Sequence, residues 1–258
     1  MGSWYETGYS VISKEEERQA SSQMPNTFWV SVGSSKPIIF IDDDPFSIYE
    51  HTIRLNNERF YRPVTCIRGM YPDDPICCVE LGARDAALVG YTTIVDCSEK
   101  KDPKYGYELQ LFQGKLRTLK KLQLKKNTKG SLVNMKWTVS RTDTKSPRCG
   151  DDFEWVQDVK SMEKLFSQVT YRGKRLAEIF DQANKGGPEA IAKVKKIFQV
   201  TLDANGKIMP AIPAFNYLEI LKPQEPNAVR VLLKARAKEE DKSAIATGLP
   251  GTTDDLPF

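Results

Sequence analysis

Eight short runs rich in β-branched and aromatic residues follow one another between residues 27 and 159, and this pattern limits the possible folds more than any other feature. The runs are TFWVSV, KPIIFI, SIYEHTIRL, RFYRPVTCI, ALVGYTTIV, YELQLFQ, SLVNMKWTVSRT and FEWVQDV. Turn-forming residues separate them at 33–35, 42–45, 72–75, 102–103 and 146–151. Such runs, bounded by Gly, Pro, Ser and Asp, read as strands. Many short strands at this spacing predict a small barrel or sandwich. A single helical signal interrupts them at 115–126, where Leu116, Leu119 and Leu122 share one face and lysines occupy the rest.

A Greek-key barrel of about five strands with an inserted helix is the OB-fold arrangement, and it is the expected core over 27–160. The period then changes from strand to helix. SMEKLFSQV, KRLAEIFDQAN and PEAIAKVKKIFQ read as three short amphipathic helices, with Gly186, Gly187 and Pro188 marking the last break. AFNYLEIL and NAVRVLLKARA add further helix or a strand–helix pair, so residues 161–237 form a helical extension. Residues 1–26 are polar, with Ser13 and Glu16 spaced as a capping pair, and read as an N-terminal arm. Residues 238–258 are polar and rich in small residues, the composition of a disordered acidic tail. The expected class is therefore mainly β with appended helices, α+β.

With 40% hydrophobic and 28% charged residues, the chain has the composition of a globular protein. No stretch approaches the roughly 20 apolar residues of a membrane helix, and no membrane partner is expected. The first residues lack a basic start and an apolar segment, so no secretory signal is expected. Five irregularly spaced cysteines suit a reducing compartment, and a cytoplasmic location follows. The net charge of +4 conceals an asymmetry. Residues 115–129 carry seven basic side chains and no acid, whereas the last twenty residues hold Glu239, Glu240, Asp241, Asp254 and Asp255 against the single Lys242. A basic body with an acidic end points to a polyanionic partner.

Single-stranded nucleic acid is held by cations that track phosphates and by rings that stack on bases. Both kinds of residue are interleaved here. Arg59, Phe60, Tyr61 and Arg62 alternate, with Arg68 beyond them. Lys100, Lys101 and Lys104 lead into Tyr105 and Tyr107, and Lys136, Trp137 and Arg141 share a strand. Lys115, Arg117, Lys120, Lys121 and Lys125 supply the helix, whose self-repulsion a polyanion would relieve. Successive strand side chains face opposite ways, so only one ring of the Phe60 and Tyr61 pair can face a ligand.

Catalysis has little support. His51 is the only histidine, without a recognisable nucleophile motif, and there is no phosphate-cradling glycine loop. Asp42, Asp43 and Asp44 resemble a two-metal nuclease cluster, but the following Pro45 makes a solvated turn the expected reading. The chain is expected not to be an enzyme.

The closing residues Asp254, Asp255, Leu256, Pro257 and Phe258 suit an apolar pocket with a basic rim. They resemble the C-terminal tip of bacterial single-stranded DNA-binding proteins, which docks replication and repair partners and competes with DNA for the basic groove. The body is similar to the longer single-stranded DNA-binding proteins of tailed bacteriophages. The segments SWYETGYSVISKEEER, IIFIDDDPFSIYEH, TCIRGM, VGYTTIVDCSE, LRTLKKLQLKK and SPRCGDDFEW carry that likeness over most of residues 1–156. The resemblance implies an OB-fold core, sequence-independent binding of single-stranded DNA in replication, recombination and repair, and a host bacterial cytoplasm. The alternative is a protein–protein adaptor with incidental nucleic-acid affinity. His51, Cys66, Asp74 and Cys77 fall in an order resembling the zinc subdomain of T4-type phage helix-destabilising proteins. Asp74 stands where that pattern has a Cys, with Cys78 as a substitute thiolate. On that ground no metal is assigned, and no cofactor is expected.

Overall fold

The computed structural model describes residues 24–54, 62–82, 86–98 and 106–234, with Arg62 described by its backbone alone. It is a mixed α/β architecture: one large sheet flanked by several helices. Its strands are β1 (Ser34–Phe40), β2 (Phe46–Ile53), β3 (Arg62–Thr65), β4 (Ala87–Asp96), β5 (Tyr107–Lys115), β6 (Met135–Arg141), β7 (Asp152–Asp158), β8 (Val169–Tyr171) and β9 (Lys174–Arg175). The helices are α1 (Ile76–Leu81), α2 (Leu116–Lys129), α3 (Met162–Phe166), α4 (Leu176–Lys195), α5 (Tyr217–Ile220) and α6 (Pro226–Lys234). No described helix is long and apolar enough to cross a membrane.

The ten-residue β4 organises the sheet. One edge pairs with β5 along most of its length. The other edge is shared, β2 taking residues Ala87 to Tyr91 and β1 taking Ile94 to Asp96. At the short connection between them the sheet forks. One wing continues through β1, β6 and β7, and the other through β2 and β3. An extended segment ahead of β1 bridges the ends, with Leu111 N–H donating to Asn26 O and Val30 N–H to Arg148 O.

Strand alternation gives the sheet two buried faces. Ile38 and Phe40 point into a core with Phe28, Val30, Ile94, Phe112, Trp137, Val139 and Phe153, closed by Leu122 of α2. Phe112 sits at its centre, 5.7 to 6.1 Å from the rings of Phe28, Phe40 and Phe153. Ile39, Val89, Tyr91, Val95 and Leu109 point the other way. There they meet Phe166, Leu176, Phe180, Phe198 and Phe215 of the helical segment. The 161–237 extension thus shares a core with the sheet instead of standing apart from it. Helix α2 crosses β4 at Gly90, where a Cβ would lie 2.6 Å from Leu119 Cδ2.

Several elements differ from the sequence expectation. TFWVSV contributes a single bridge rather than a strand. Helix α1 was not expected, because its six residues are too few to show a period. Residues 169–175 form the β8–β9 hairpin, turned by Arg172 and Gly173 at φ 51° and 77°, the positive values that a two-residue hairpin turn requires. The two helices expected around 174–198 are present, by contrast, as the two halves of α4, and the expected break falls at Gly187, whose φ of 72° and ψ of −161° suit glycine alone. The arm over 1–23 and the acidic tail over 235–258 lie outside the described residues.

Of the three aspartates before Pro45, Asp42 and Asp43 are drawn into the fold and only Asp44 is exposed. Asp42 accepts from Thr93 N–H (2.8 Å) and from the Tyr217 hydroxyl. Asp43 accepts from Leu132 N–H (2.6 Å) and the Ser131 hydroxyl (2.9 Å), and Asp44 pairs with Lys126 at 2.6 Å. Burial raises the Asp42 carboxyl to about 6, against the hydrogen bonds from Tyr217 and Thr93 that favour its charged form. A carboxyl raised from its ordinary 3.8 stabilises the fold fully below that pH, and the contribution is lost as pH rises through about 6. Asp42→Asn should therefore abolish a decline in stability of at most about 3 kcal/mol between pH 4 and pH 6.5. Urea melts of both proteins across that range check it, and parallel pH profiles would refute it.

Candidate nucleic-acid interface and thiol cluster

An open groove of about 820 Å³ lies where the extended segment before β1, the ends of β2 and β5, and the β6–β7 connection meet. Phe28, Trp29 and Val30 alternate across that segment. Phe28 and Val30 are buried in the core, and Trp29 is 55% exposed on the groove wall. Lys36 lies over the rings of Trp29 and Phe28, 5.1 and 5.3 Å from their centroids, and holds Asp96 at 3.3 Å. Its ammonium fixes the indole while leaving the outer ring face to solvent.

Cations line the groove as well: Lys115, Lys145 and Arg148 are exposed, and the loop that carries Arg148 adjoins the Trp29 segment, with Val30 N–H donating to Arg148 O at 2.7 Å. Arg141 also lines the groove, but its guanidinium donates to the carbonyls of Ser146 (3.1 Å) and Thr144 (3.1 Å). Asp151 accepts from the Thr142 N–H (2.9 Å) and hydroxyl (2.7 Å), and Asp143 from Ser146 N–H (2.8 Å). The loop that presents Lys145 and Arg148 is therefore held in one shape, which lowers the entropy lost on binding. On the floor, buried Glu50 accepts from the Tyr91 hydroxyl and from Gln113 Nε2 (3.4 Å). Burial raises its carboxyl above the usual range, with Lys115 acting in the opposite sense. The groove thus joins an accessible ring to exposed cations, the combination that single strands require.

Of the residues expected to contact nucleic acid, Lys115 and Arg141 come together here, with Arg141 supporting the loop. Arg68 lines a second, apolar groove of about 510 Å³ between β2 and α5. Trp137 does not belong to a binding face. It is 1% exposed, its Nε1–H donates to Leu132 O at 3.2 Å, and the alternation of β6 turns it into the core. Tyr107 packs against the core beneath the helical segment. Lys121 donates to the Asp151 carbonyl, so it ties α2 to β7 and is not free for phosphate. Arg117 and Lys120 are exposed on α2, Lys125 is half-buried there, and Lys136 is half-buried on β6. Arg59, Phe60, Tyr61, Lys100, Lys101, Lys104 and Tyr105 lie outside the described residues, as do the side chain of Arg62 and residues 254–258.

Trp29, Lys36, Lys145 and Arg148 were missed. The visible signal was the Phe28-Trp29-Val30 alternation, which must turn one ring outward whenever its neighbours are core.

The second constellation is a buried thiol cluster. His51 of β2, Cys66 just beyond β3, and Cys77 and Cys78 of α1 bring four donor atoms within 4.8 Å of one another. Cys66 Sγ lies 3.3 Å from Cys78 Sγ and 3.9 Å from Cys77 Sγ, and Cys78 Sγ lies 3.6 Å from His51 Nε2. A tetrahedral zinc with sulfur ligands at about 2.3 Å sets its donors about 3.8 Å apart, so the spacing fits the ion. Asp74 is not a donor. Its carboxylate is turned to Arg230, with oxygens 2.6 and 2.8 Å from Nη2. Adjacent cysteines both reach the centre because α1 starts at Ile76 and directs its first turn at the cluster. The assignment of no metal thus rested on a donor, Asp74, that the fold uses elsewhere. Burial, followed by the neighbouring Cys66 and Cys77, pushes the Cys78 thiol up to about 12, and burial raises Cys77 as well. A bound cation would reverse that preference, because its charge stabilises thiolates.

Comparison with family models, with curated proteins and with solved structures gave no match.

Trp29 and Trp155 are exposed and Trp137 is buried. In a triple variant W4F/W29F/W155F, the emission of Trp137 should be blue-shifted and resist iodide. Quenching as efficient as in the parent would mean that Trp137 reaches solvent.

Proposed function

We propose that this chain binds single-stranded DNA without sequence preference, protects it, and recruits replication, recombination and repair proteins through its last residues, 254–258. The observation that carries the reading is the groove that exposed Trp29 lines together with Lys115, Lys145 and Arg148. The ring stacks on a base, and the cations neutralise phosphates of the same strand. None of these groups is arranged to read base edges, so affinity depends on charge and stacking rather than sequence. No nucleophile and base meet in the groove, and the protein acts by binding.

We read the sheet as an OB-type barrel. Supporting this are the central β4 shared between two wings, the inner core around Phe112, and α2 inserted between β5 and β6. The groove runs across the face where the wings approach each other.

Trp29→Ala should weaken oligo-dT binding by roughly five- to 150-fold, the value of one base stack. Arg148→Glu should reduce the salt dependence of binding by about one phosphate contact. Fluorescence titrations at low and high salt measure both. Unchanged affinity in both variants would remove this groove from the binding path, and no binding by the parent at low salt would favour an adaptor.

A second reading rests on the thiol cluster. His51, Cys66, Cys77 and Cys78 hold a structural zinc ion in a closed Cys3His set, which ties α1 to β2 and the end of β3. The metal supplies cross-linking and no catalytic chemistry. Purified protein should carry one zinc per chain, and Cys78→Ser should lose it, as read by elemental analysis. Zinc retained in that variant at parental affinity would contradict the assignment.

A further inference from the structure

Helix α6 is the last described element, and it is seated on the thiol cluster rather than on either main core. Val229 is fully buried and, with Leu233, packs among Ile67, Tyr71, Ile76, Cys66, Cys77 and Cys78. Arg230 clasps both oxygens of Asp74 at 2.6 and 2.8 Å. Tyr71 bonds Glu225 at the start of the same helix. Every one of these partners lies between residues 66 and 78.

Where that platform leaves β3, Cys66 N–H donates to Tyr49 O of β2 at 2.7 Å. Beyond it the bonds within 67–74 are turn-like, from Met70 N–H and Tyr71 N–H to Ile67 O, and from Asp74 N–H to Tyr71 O. Among the described residues its apolar cluster has four buried members, one of which is Val229 itself. The four donors join three pieces of chain: β2 within the main sheet, the end of β3, and α1. A cation held by all four would fasten the platform to the sheet, and α6 is built on the platform.

We propose that metal occupancy of the His51–Cys66–Cys77–Cys78 cluster controls the docking of α6. The inference rests on the zinc reading above. With the metal in place, the nine residues of α6 are held beside α1, and without it they are released from the platform. The coupling is reciprocal: what undocks α6 must also loosen the metal.

The test uses the full chain loaded with zinc, whose content is measured first. Amide exchange over 226–234 should accelerate by about tenfold or more when a chelator strips the metal, while β4 and β5 keep their protection. Re-adding zinc should restore the slow exchange. In the reverse direction, Val229→Asp and Arg230→Glu should each release zinc to a chromogenic chelator about tenfold more readily than the parent. Arg230→Glu carries the test if Val229→Asp does not fold. Stoichiometric zinc with unchanged exchange over 226–234, or with parental zinc release in Arg230→Glu, would overturn the coupling and leave the metal site standing. Absence of bound zinc would overturn both.

Discussion

The fork beside β4 depends on three consecutive carboxylates. β1 and β2 run along one edge of the same strand, yet each must turn away to pair with a different neighbour, β6 or β3. The chain between them carries Asp42, Asp43 and Asp44, and each acid is bound to a different part of the molecule. Asp42 reaches Thr93 on β4 and Tyr217 of the helical segment, Asp43 takes the backbone donors after α2, and Asp44 meets α2 itself at Lys126. Burial raises the Asp43 carboxyl, but the hydrogen bonds from Leu132, Ser131 and Val133 outweigh it and hold it below the usual range. Asp42, more deeply enclosed, moves the other way. The same short segment therefore fixes the divergence of the wings, the position of the inserted helix and the seat of the C-terminal layer.

The centre of the sheet is buried on both faces, whereas β7 at its margin is mostly exposed. The inner face is filled by aromatic packing around Phe112, and the outer face is covered by residues from Leu165 to Leu221. Thr93 is the joint between the layers: its hydroxyl meets the Tyr217 hydroxyl at 2.7 Å and accepts from Phe215 N–H at 2.8 Å. The groove opens where the extended segment ahead of β1 crosses toward the β6–β7 connection. Trp29 is outside because Phe28 and Val30 are inside, so the core of the fold orients the ring.

The strand-rich first part, the lysine helix and the change to helices near residue 160 were legible because each spans enough residues for a period to emerge. Helix α1 and the β8–β9 hairpin were too short for that, with six residues and three plus two. The residues expected to contact nucleic acid are only partly brought together. Trp137 sits between Lys136 and Thr138 and reads as an interleaved ring, yet alternation on β6 turns it to the core, and only the register of both neighbouring strands decides which face that is. Arg148 and Lys145 became visible only once Arg141 and Asp151 had folded the loop beneath them. The thiol cluster shows the same limit. The order of His51, Cys66 and Cys77 pointed toward a metal, but the fourth donor was obscured by an acid whose true partner, Arg230, lies 156 residues away in the chain.

The lysine-rich helix raises the question of how so many like charges are tolerated without acids beside them. Much of the answer is internal. Lys126 is neutralised by Asp44, Lys121 donates to the Asp151 carbonyl, and Lys129 lies 3.9 Å from the centroid of the exposed Trp155 ring. Three of the seven cations over 115–129 thus serve to bind the helix to the fork and to β7. Their spacing at positions 121, 126 and 129 is not a single helical face but a set of anchors toward different neighbours. Arg117 and Lys120 are exposed on the helix, Lys125 is half-buried there, and Lys115 acts on the Glu50 carboxylate. Of these, Lys115 reaches the groove, at the junction of β5 and α2. The charge run is therefore divided: its C-terminal part holds the helix down, and its N-terminal end places Lys115 in the groove that Trp29 also lines. A helix anchored in this way keeps that charge at a fixed position.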